Sequence, residues 1–182
     1  MSVLLHEFGH AIVAKKLGII PKDIIISALG GLSRLNTMKE HPRKEIIIAF
    51  AGPFLNLVIA IIAFLYVIIF TDQYFQISSL DTFLFTDYFG IPFKIAAINL
   101  ILFLFNLVPA FPMDGGRILR GLFSLKFGYK KATVLASTIG RFIALGFFII
   151  GAINRFYILI FLSGLIYIMA AREGFIHKKR AQ

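Results

Sequence analysis

The sequence predicts an all-α polytopic membrane protein with about five transmembrane helices and a small membrane-associated β-hairpin after the first helix. Of its 182 residues, 59% are hydrophobic and 21 are Phe, which is more apolar surface than a soluble domain usually buries. Residues 46–70 form 25 consecutive uncharged positions, more than the roughly 20 that cross the hydrocarbon core of a bilayer. No polar stretch is long enough to fold as a separate soluble domain.

Five apolar segments account for the predicted helices: about 1–17, 45–70, 92–108, 132–153 and 156–172. Gly18 and Pro21 follow the first segment and Pro109 follows the third, as expected of residues that end helices. Residues 117–131 are basic and partly amphipathic, which predicts an interfacial helix or loop. Only five residues precede His6, too few to cross the outer half of the bilayer, so we expect the natural chain to start further upstream.

The loop after the first helix carries the hairpin signal. Gly30-Gly31 separates Leu32–Leu35 from a β-prone run, and two such runs around a Gly pair predict a β-hairpin. The first strand consists of Ile24, Ile25, Ile26, Ser27, Ala28 and Leu29. It could dock an extended peptide as an added strand, and a plain surface hairpin explains the same residues equally well.

Charge is distributed by segment. The net charge is +10, and basic residues dominate 18–44, 117–131 and the C-terminal tail, whereas 71–91 is acidic. If five helices alternate in direction, all basic segments lie on one side, which the positive-inside rule assigns to the cytoplasm. We therefore expect the lipid bilayer as a partner and no nucleic acid.

The residues most specific for chemistry lie in the first helix. His6-Glu7-Phe8-Gly9-His10 places two histidines one turn apart on one helix face, with a carboxylate beside them. In a His-Glu-x-x-His arrangement the imidazoles hold zinc and the carboxylate handles protons. Ionisable groups on an otherwise apolar membrane helix are costly and indicate function.

Asp114 is the candidate third ligand. Pro109 and Pro112 interrupt the chain before it, and non-helical backbone in a membrane is tolerated where it is buried in protein or lines a cavity. Taken alone, Asp114 is better explained as the N-cap of a helix that starts at Gly115. Beside the histidine motif we favour the ligand, because three protein ligands and an open position are typical of catalytic zinc.

Together these motifs resemble those of the site-2 protease family of intramembrane zinc metalloproteases. The shared motifs are His6-Glu7-Phe8-Gly9-His10, Gly52-Pro53-Phe54-Leu55-Asn56 and Asn106-x-x-Pro109-x-x-Pro112-x-Asp114-Gly115. The likeness divides the chain into a metalloprotease core, 1–132, and a part with two further helices and a basic tail, 133–182. The short form looks most like the bacterial branch that includes the sporulation-factor-processing protease.

The resemblance implies a zinc metalloendopeptidase in the cell membrane of a prokaryote. It implies one Zn²⁺ per chain, held by His6, His10 and Asp114, with Glu7 as the acid–base residue. The charge pattern places this site toward the cytoplasmic side. The implied reaction is hydrolysis of a peptide bond in or near a transmembrane segment of a membrane-bound regulatory protein. The implied partners are this transmembrane substrate, the lipid bilayer and a membrane regulator.

Two amides and two rival functions complete the expectations. Asn56 and Asn106 could stabilise the oxyanion or orient the substrate, and interhelical hydrogen bonding explains them at least as well. A metal-ion transporter would use the same donors, but transporters line a path with ionisable groups across the full membrane depth. A catalytically inactive membrane scaffold would not need the intact His-Glu-x-x-His motif.

Overall fold

The structure is a computed structural model that describes residues 1–19, 41–70 and 90–179. Within these ranges the ordered elements are six α-helices. Their bounds are α1 Ser2–Lys16, α2 Pro42–Phe70, α3 Gly90–Asn106, α4 Asp114–Phe127, α5 Tyr129–Ile153 and α6 Tyr157–Lys179.

Two of the helix ends depend on glycine. Gly18 follows α1 with φ of 74° and donates its N–H to the Lys15 carbonyl at 3.1 Å. Gly128 separates α4 from α5 with φ of 75° and donates to the Ser124 carbonyl at 3.2 Å. Because a side chain strains this left-handed backbone, glycine is the residue that best ends both helices.

The prediction of five transmembrane helices is wrong. In the described part of the chain, three helices are long and apolar enough to cross a membrane: Pro42–Phe70, Tyr129–Ile153 and Tyr157–Phe175. α1 has 15 residues and α3 has 17, which give lengths of about 22 and 25 Å at 1.5 Å per residue. A bilayer core is about 30 Å thick, so apolar composition alone overstated the number of spans.

The predicted β-hairpin is also wrong as part of the fold class, because the described residues contain helices and no strand. Its own segment, 24–35, lies outside the described residues, and so does the acidic segment 71–89. That prediction rested on a local pattern alone, β-prone runs around a glycine pair, and strand formation also depends on packing against other parts of the protein.

α2 is the helix around which the others gather. α1, α3 and α4 all pack against α2, while α5 packs against α4 and α6. Small residues make the close approaches: a Cβ on Gly9 would lie 2.8 Å from the Ala51 carbonyl oxygen, and one on Gly140 would lie 3.1 Å from Ala110. Large apolar side chains point outward from the bundle, as expected where lipid surrounds the helices.

A group of charges around the buried Arg120 joins three helices, and we name it the ion cluster (Glu45, Arg120 and Glu173). Arg120 on α4 donates from Nε to Glu45 Oε1 on α2 and from Nη1 to Glu173 Oε1 on α6, both at 2.8 Å. Its guanidinium also lies 5.1 Å from the ring centroid of Phe111 and 5.0 Å from that of Tyr129. The cluster fixes α4 between α2 and α6.

Candidate metal centre

The first part of the site is one turn of α1. His6 and His10 are four residues apart, so their rings lie on one helix face. Their Nε2 atoms are 3.1 Å apart, and the rings meet edge to face with centroids separated by 4.7 Å. His6 is buried and His10 half-buried, so both rings point into the protein.

Asp114 reaches these rings from the first residue of α4. The backbone from Leu107 to Met113 is non-helical, and it returns the chain toward α1 after α3 ends. Asp114 Oδ2 lies 3.0 Å from His6 Nε2 and 3.2 Å from His10 Nε2. The N-cap position is Met113, so the alternative role of Asp114 as a cap is not the one the structure shows.

Two glycines allow α4 to begin at this point. A Cβ on Gly115 would overlap the carbonyl oxygens of Leu107 and Val108, and one on Gly116 would lie 2.7 Å from the carbonyl carbon of Ala110. Any larger residue would push the start of α4 away from the preceding loop. Gly115 and Gly116 therefore set the position of the Asp114 carboxylate.

We name His6, His10 and Asp114 the donor cluster, and its chemistry fits a metal ion. One donor atom from each residue lies within 4.8 Å of the others, and three contacts are between 3.0 and 3.2 Å. Donors about 2.0–2.1 Å from a tetrahedral zinc lie about 3.3 Å from one another, close to this spacing. Two imidazoles and a carboxylate are also a usual ligand set for zinc.

The protonation of the cluster leads to the same conclusion. His10 Nδ1 lies 2.7 Å from the Ile48 carbonyl oxygen, which can only accept, so Nδ1 carries a proton. A neutral His10 then directs a bare lone pair from Nε2 at Asp114 Oδ2. An ionised carboxylate among imidazole lone pairs calls for a cation at the centre.

α2 supplies the surroundings of both rings. Asn56 is fully buried, and its Nδ2 lies 3.0 Å from His6 Nδ1. A Cβ on Gly52 would overlap His10 Nε2 and lie 2.7 Å from His6 Nε2. Asn56 and Gly52 are thus in contact range of the histidines. The sequence suggested either a substrate role or an interhelical hydrogen bond for Asn56, and the contact with His6 on α1 is of the second kind. Sequence reasoning did not find the Ile48 carbonyl, although positions 48, 52 and 56 share one helix face.

The other predicted site residues are Glu7, Asn106 and the strand 24–29, and none of them belongs to the donor cluster. Glu7 is exposed and three residues before His10, hence adjacent to it on the surface of α1. Asn106 is the last residue of α3, half-buried, and its Nδ2 donates to the Leu102 carbonyl at 2.9 Å. The oxyanion roles of Asn56 and Asn106 stay predictions. The proposed docking strand 24–29 lies outside the described residues.

Comparison with known proteins identifies the family. The model of peptidase family M50 matches residues 1–147. The chain belongs to peptidase family M50. This match takes in the predicted core 1–132 and most of α5, while the division after residue 132 stays a prediction.

Individual M50 relatives and one solved structure agree. A zinc metalloprotease of Methanocaldococcus jannaschii is 36% identical over 174 residues, covering 96% of this chain and 47% of the relative. Stage IV sporulation protein FB of Bacillus subtilis is 29% identical, covering 72% of this chain and 41% of that protein. The structure of a site-2 protease from M. jannaschii matches with a TM-score of 0.67 and 34% identity, over 95% of this chain and 74% of that one.

These matches confirm the resemblance to site-2 proteases read from the sequence motifs, and they identify a membrane protein of family M50. The predicted enzyme class and the predicted zinc are those in the name of the archaeal relative. The chain spans about half the length of that relative, 47%.

Proposed function

We propose that this protein is a zinc-dependent endopeptidase that hydrolyses a peptide bond in or near a transmembrane segment of a membrane-bound protein. The observation that carries the proposal is the convergence of the three donors of the donor cluster, His6 and His10 from α1 and Asp114 from α4, with Glu7 next to His6 in sequence on α1. Family membership supports the same reaction class.

In this proposal His6, His10 and Asp114 hold the metal and Glu7 handles the proton. Zinc in such a site polarises a carbonyl as a Lewis acid and makes water a stronger nucleophile near neutral pH. Glu7 is adjacent to His10 but belongs to none of the donor contacts, so its carboxylate is available. It would accept the proton of the attacking water and pass it to the leaving amine.

The surroundings of the site support a membrane substrate. The outer face of α1 is apolar, with Val3 60%, Leu4 49%, Phe8 54% and Ile12 51% exposed. Such a surface is stable beside lipid or beside an apolar substrate helix, and unstable in water. A transmembrane segment could therefore approach α1 from the bilayer on the same helix that carries Glu7.

The end of α1 indicates the side from which water reaches the site. Lys15 and Lys16 occupy its last turn, and by the positive-inside rule they mark the cytoplasmic side. The donor cluster lies within three turns of these lysines, since His6 and His10 precede Lys16 by ten and six residues. We infer that the site opens toward the cytoplasm.

The rival transporter function has less support. Among the described residues, the His, Asp and Glu side chains that could hold a metal form one group, the donor cluster, with no second group along a path. A transporter would also have no use for an exposed carboxylate outside the ligand set. Zinc flux into vesicles that contain the purified protein is the direct test, and we expect none.

The test of proteolysis compares cells that express the wild type with cells that express Glu7→Gln at equal membrane abundance. Mass spectrometry of membrane-protein fragments should find new termini in or next to a transmembrane segment of at least one protein, only with the wild type. Identical fragment patterns, with both proteins zinc-loaded, would refute intramembrane proteolysis. A substrate identified in this way can then be tested for cleavage by the purified protein in lipid nanodiscs.

A further inference from the structure

The side chain of Asn56 raises a question that the proposed function leaves open. Asn56 has no exposed surface, and its Nδ2 lies 3.0 Å from Nδ1 of His6. Its carbonyl oxygen Oδ1 is buried and has no hydrogen-bond partner among the described residues. An amide buried in a membrane protein against a metal-ligand candidate is expected to serve that ligand, because burying it otherwise costs stability.

The chemistry of His6 decides which end of the amide faces it. His6 directs Nε2 at the donor cluster, so a metal there needs the lone pair of Nε2. Neutral imidazole carries one proton, which must then sit on Nδ1 and requires an acceptor. The amide NH₂ of Asn56 cannot accept, whereas Oδ1 can, and turning the amide by 180° exchanges the two atoms in nearly the same space.

The other ring gives an internal precedent. His10 directs Nε2 at the same centre, and its Nδ1 donates to the Ile48 carbonyl oxygen at 2.7 Å. With Oδ1 facing His6, both imidazoles donate from Nδ1 to an oxygen of α2. Metal-binding histidines almost always have such a second partner, which fixes the tautomer and the orientation of the ring.

We propose that Asn56 is a positioning residue that accepts a hydrogen bond from His6 Nδ1 through Oδ1 and so holds His6 in the tautomer that binds metal at Nε2. α2 provides no ligand, yet Ile48, Gly52 and Asn56 at four-residue intervals fix both rings. The carbonyl of Ile48 orients His10, Asn56 orients His6, and Gly52 leaves the space that both rings occupy. This inference rests on the proposed metal centre, and it assigns the hydrogen bonds that hold the two histidine ligands in place.

The test measures zinc affinity of purified protein by competition with a chromophoric chelator. Asn56→Leu keeps the volume of the side chain but removes the acceptor, and we expect about 10- to 100-fold weaker binding. Asn56→Asp keeps an acceptor oxygen in both orientations, and we expect affinity within about threefold of wild type. In the cobalt-substituted protein, the d–d absorption spectrum of Asn56→Leu should differ from that of wild type. The spectrum of Asn56→Asp should match that of wild type.

Asn99→Leu is the matched control. Asn99 is a fully buried asparagine on α3 whose Nδ2 donates to Ser2 Oγ at 3.0 Å and to the Ile95 carbonyl. It touches none of the donors, so zinc affinity should not change. Equal losses in Asn99→Leu and Asn56→Leu would attribute the effect to helix packing and overturn the proposal.

A second measurement needs no substitution at Asn56. ¹⁵N NMR of zinc-loaded wild type with labelled histidine should show protons on Nδ1 of both metal-binding rings. A proton on Nε2 of His6 would overturn the proposal, and so would an Asn56→Asp variant that binds zinc as weakly as Asn56→Leu. A wild type without zinc affinity would instead refute the metal centre, and the inference with it.

Discussion

The molecule contains two polar clusters that share α4 and differ in what their own side chains supply. The ion cluster joins α4 to α2 and α6, the donor cluster joins α4 to α1, and Arg120 lies six residues after Asp114 on α4. The ion cluster contains its own cation, since a guanidinium lies between two carboxylates. The donor cluster contains imidazole lone pairs and a carboxylate, and its side chains offer no permanent cation.

The ion cluster contributes to folding, whereas the donor cluster is proposed to contribute to function. Burial opposes the charge on Arg120, but the carboxylates around it, Glu45 first, raise its pKa above the ordinary value, so the cation persists at any physiological pH. The ion cluster is therefore complete when the helices pack. The side chains of the donor cluster supply no cation of their own, and the proposed function assigns that place to zinc.

Removing a donor should have the largest effect on metal content. Asp114→Ala deletes one of three converging ligands, and we expect zinc to fall from about one per chain to almost none, as measured by atomic emission on purified protein. His6→Ala should do the same. His41 lies outside the helices and is exposed, so His41→Ala should keep its zinc. Full zinc content in Asp114→Ala would remove Asp114 from the donor cluster.

The next largest effect is expected at Glu7, where a substitution should greatly reduce cleavage without affecting zinc binding. Glu7→Gln keeps every donor but removes the group that accepts the proton, so cleavage should fall by about 10²- to 10⁴-fold. Zinc content should match wild type, in contrast to Asp114→Ala. Turnover near the wild-type rate would show that another group handles the proton.

Breaking the ion cluster should lower stability instead of metal content. Arg120→Met removes the cation that pairs with buried Glu45 and half-buried Glu173, and we expect a loss of about 3–5 kcal/mol in the free energy of unfolding, measured by SDS titration. Replacing Glu45 and Glu173 with Met as well should recover most of that loss. In zinc-free protein Asp114→Asn should cost less than about 1 kcal/mol. Equal losses in the two single variants would mean that both clusters support the fold.

The smallest effect tests the space between α2 and the two histidine rings. A methyl group at Gly52 would overlap His10 and crowd His6, so Gly52→Ala should weaken zinc binding by about tenfold or more. Gly146→Ala is the matched control on α5, where a Cβ meets nothing within 4 Å. That change should leave affinity unaltered and stabilise α5 by about 0.5–1 kcal/mol. Unchanged affinity in Gly52→Ala would show that the rings can move aside.

Residue spacing along one helix was sufficient to predict the histidine pair. His6 and His10 lie on one face because an α-helix repeats every 3.6 residues, a local rule that needs no knowledge of the partner helices. The same kind of reasoning located the end of α3 near Pro109, close to the observed end at Asn106. The motifs also predicted the M50 family correctly.

Local patterns were less reliable for span number and for the hairpin. Apolar composition marks a segment as compatible with a membrane, but crossing one also requires length, and α1 and α3 are shorter than the bilayer core. The predicted hairpin rested on two β-prone runs, 24–29 and 32–35, on either side of Gly30-Gly31. Strand pairing is a tertiary property, so composition alone does not establish it.

By itself, the sequence determined that the chain is apolar, helical and equipped with a zinc-protease motif, because these properties follow from residue type and local spacing. Only the tertiary structure decided that Asp114 contacts both histidines instead of capping α4, since that choice depends on the packing of Gly115 and Gly116 against a distant loop. It also decided that Asn56 contacts His6. Contacts between residues far apart in the chain are set by how whole helices pack, and no local pattern records that packing.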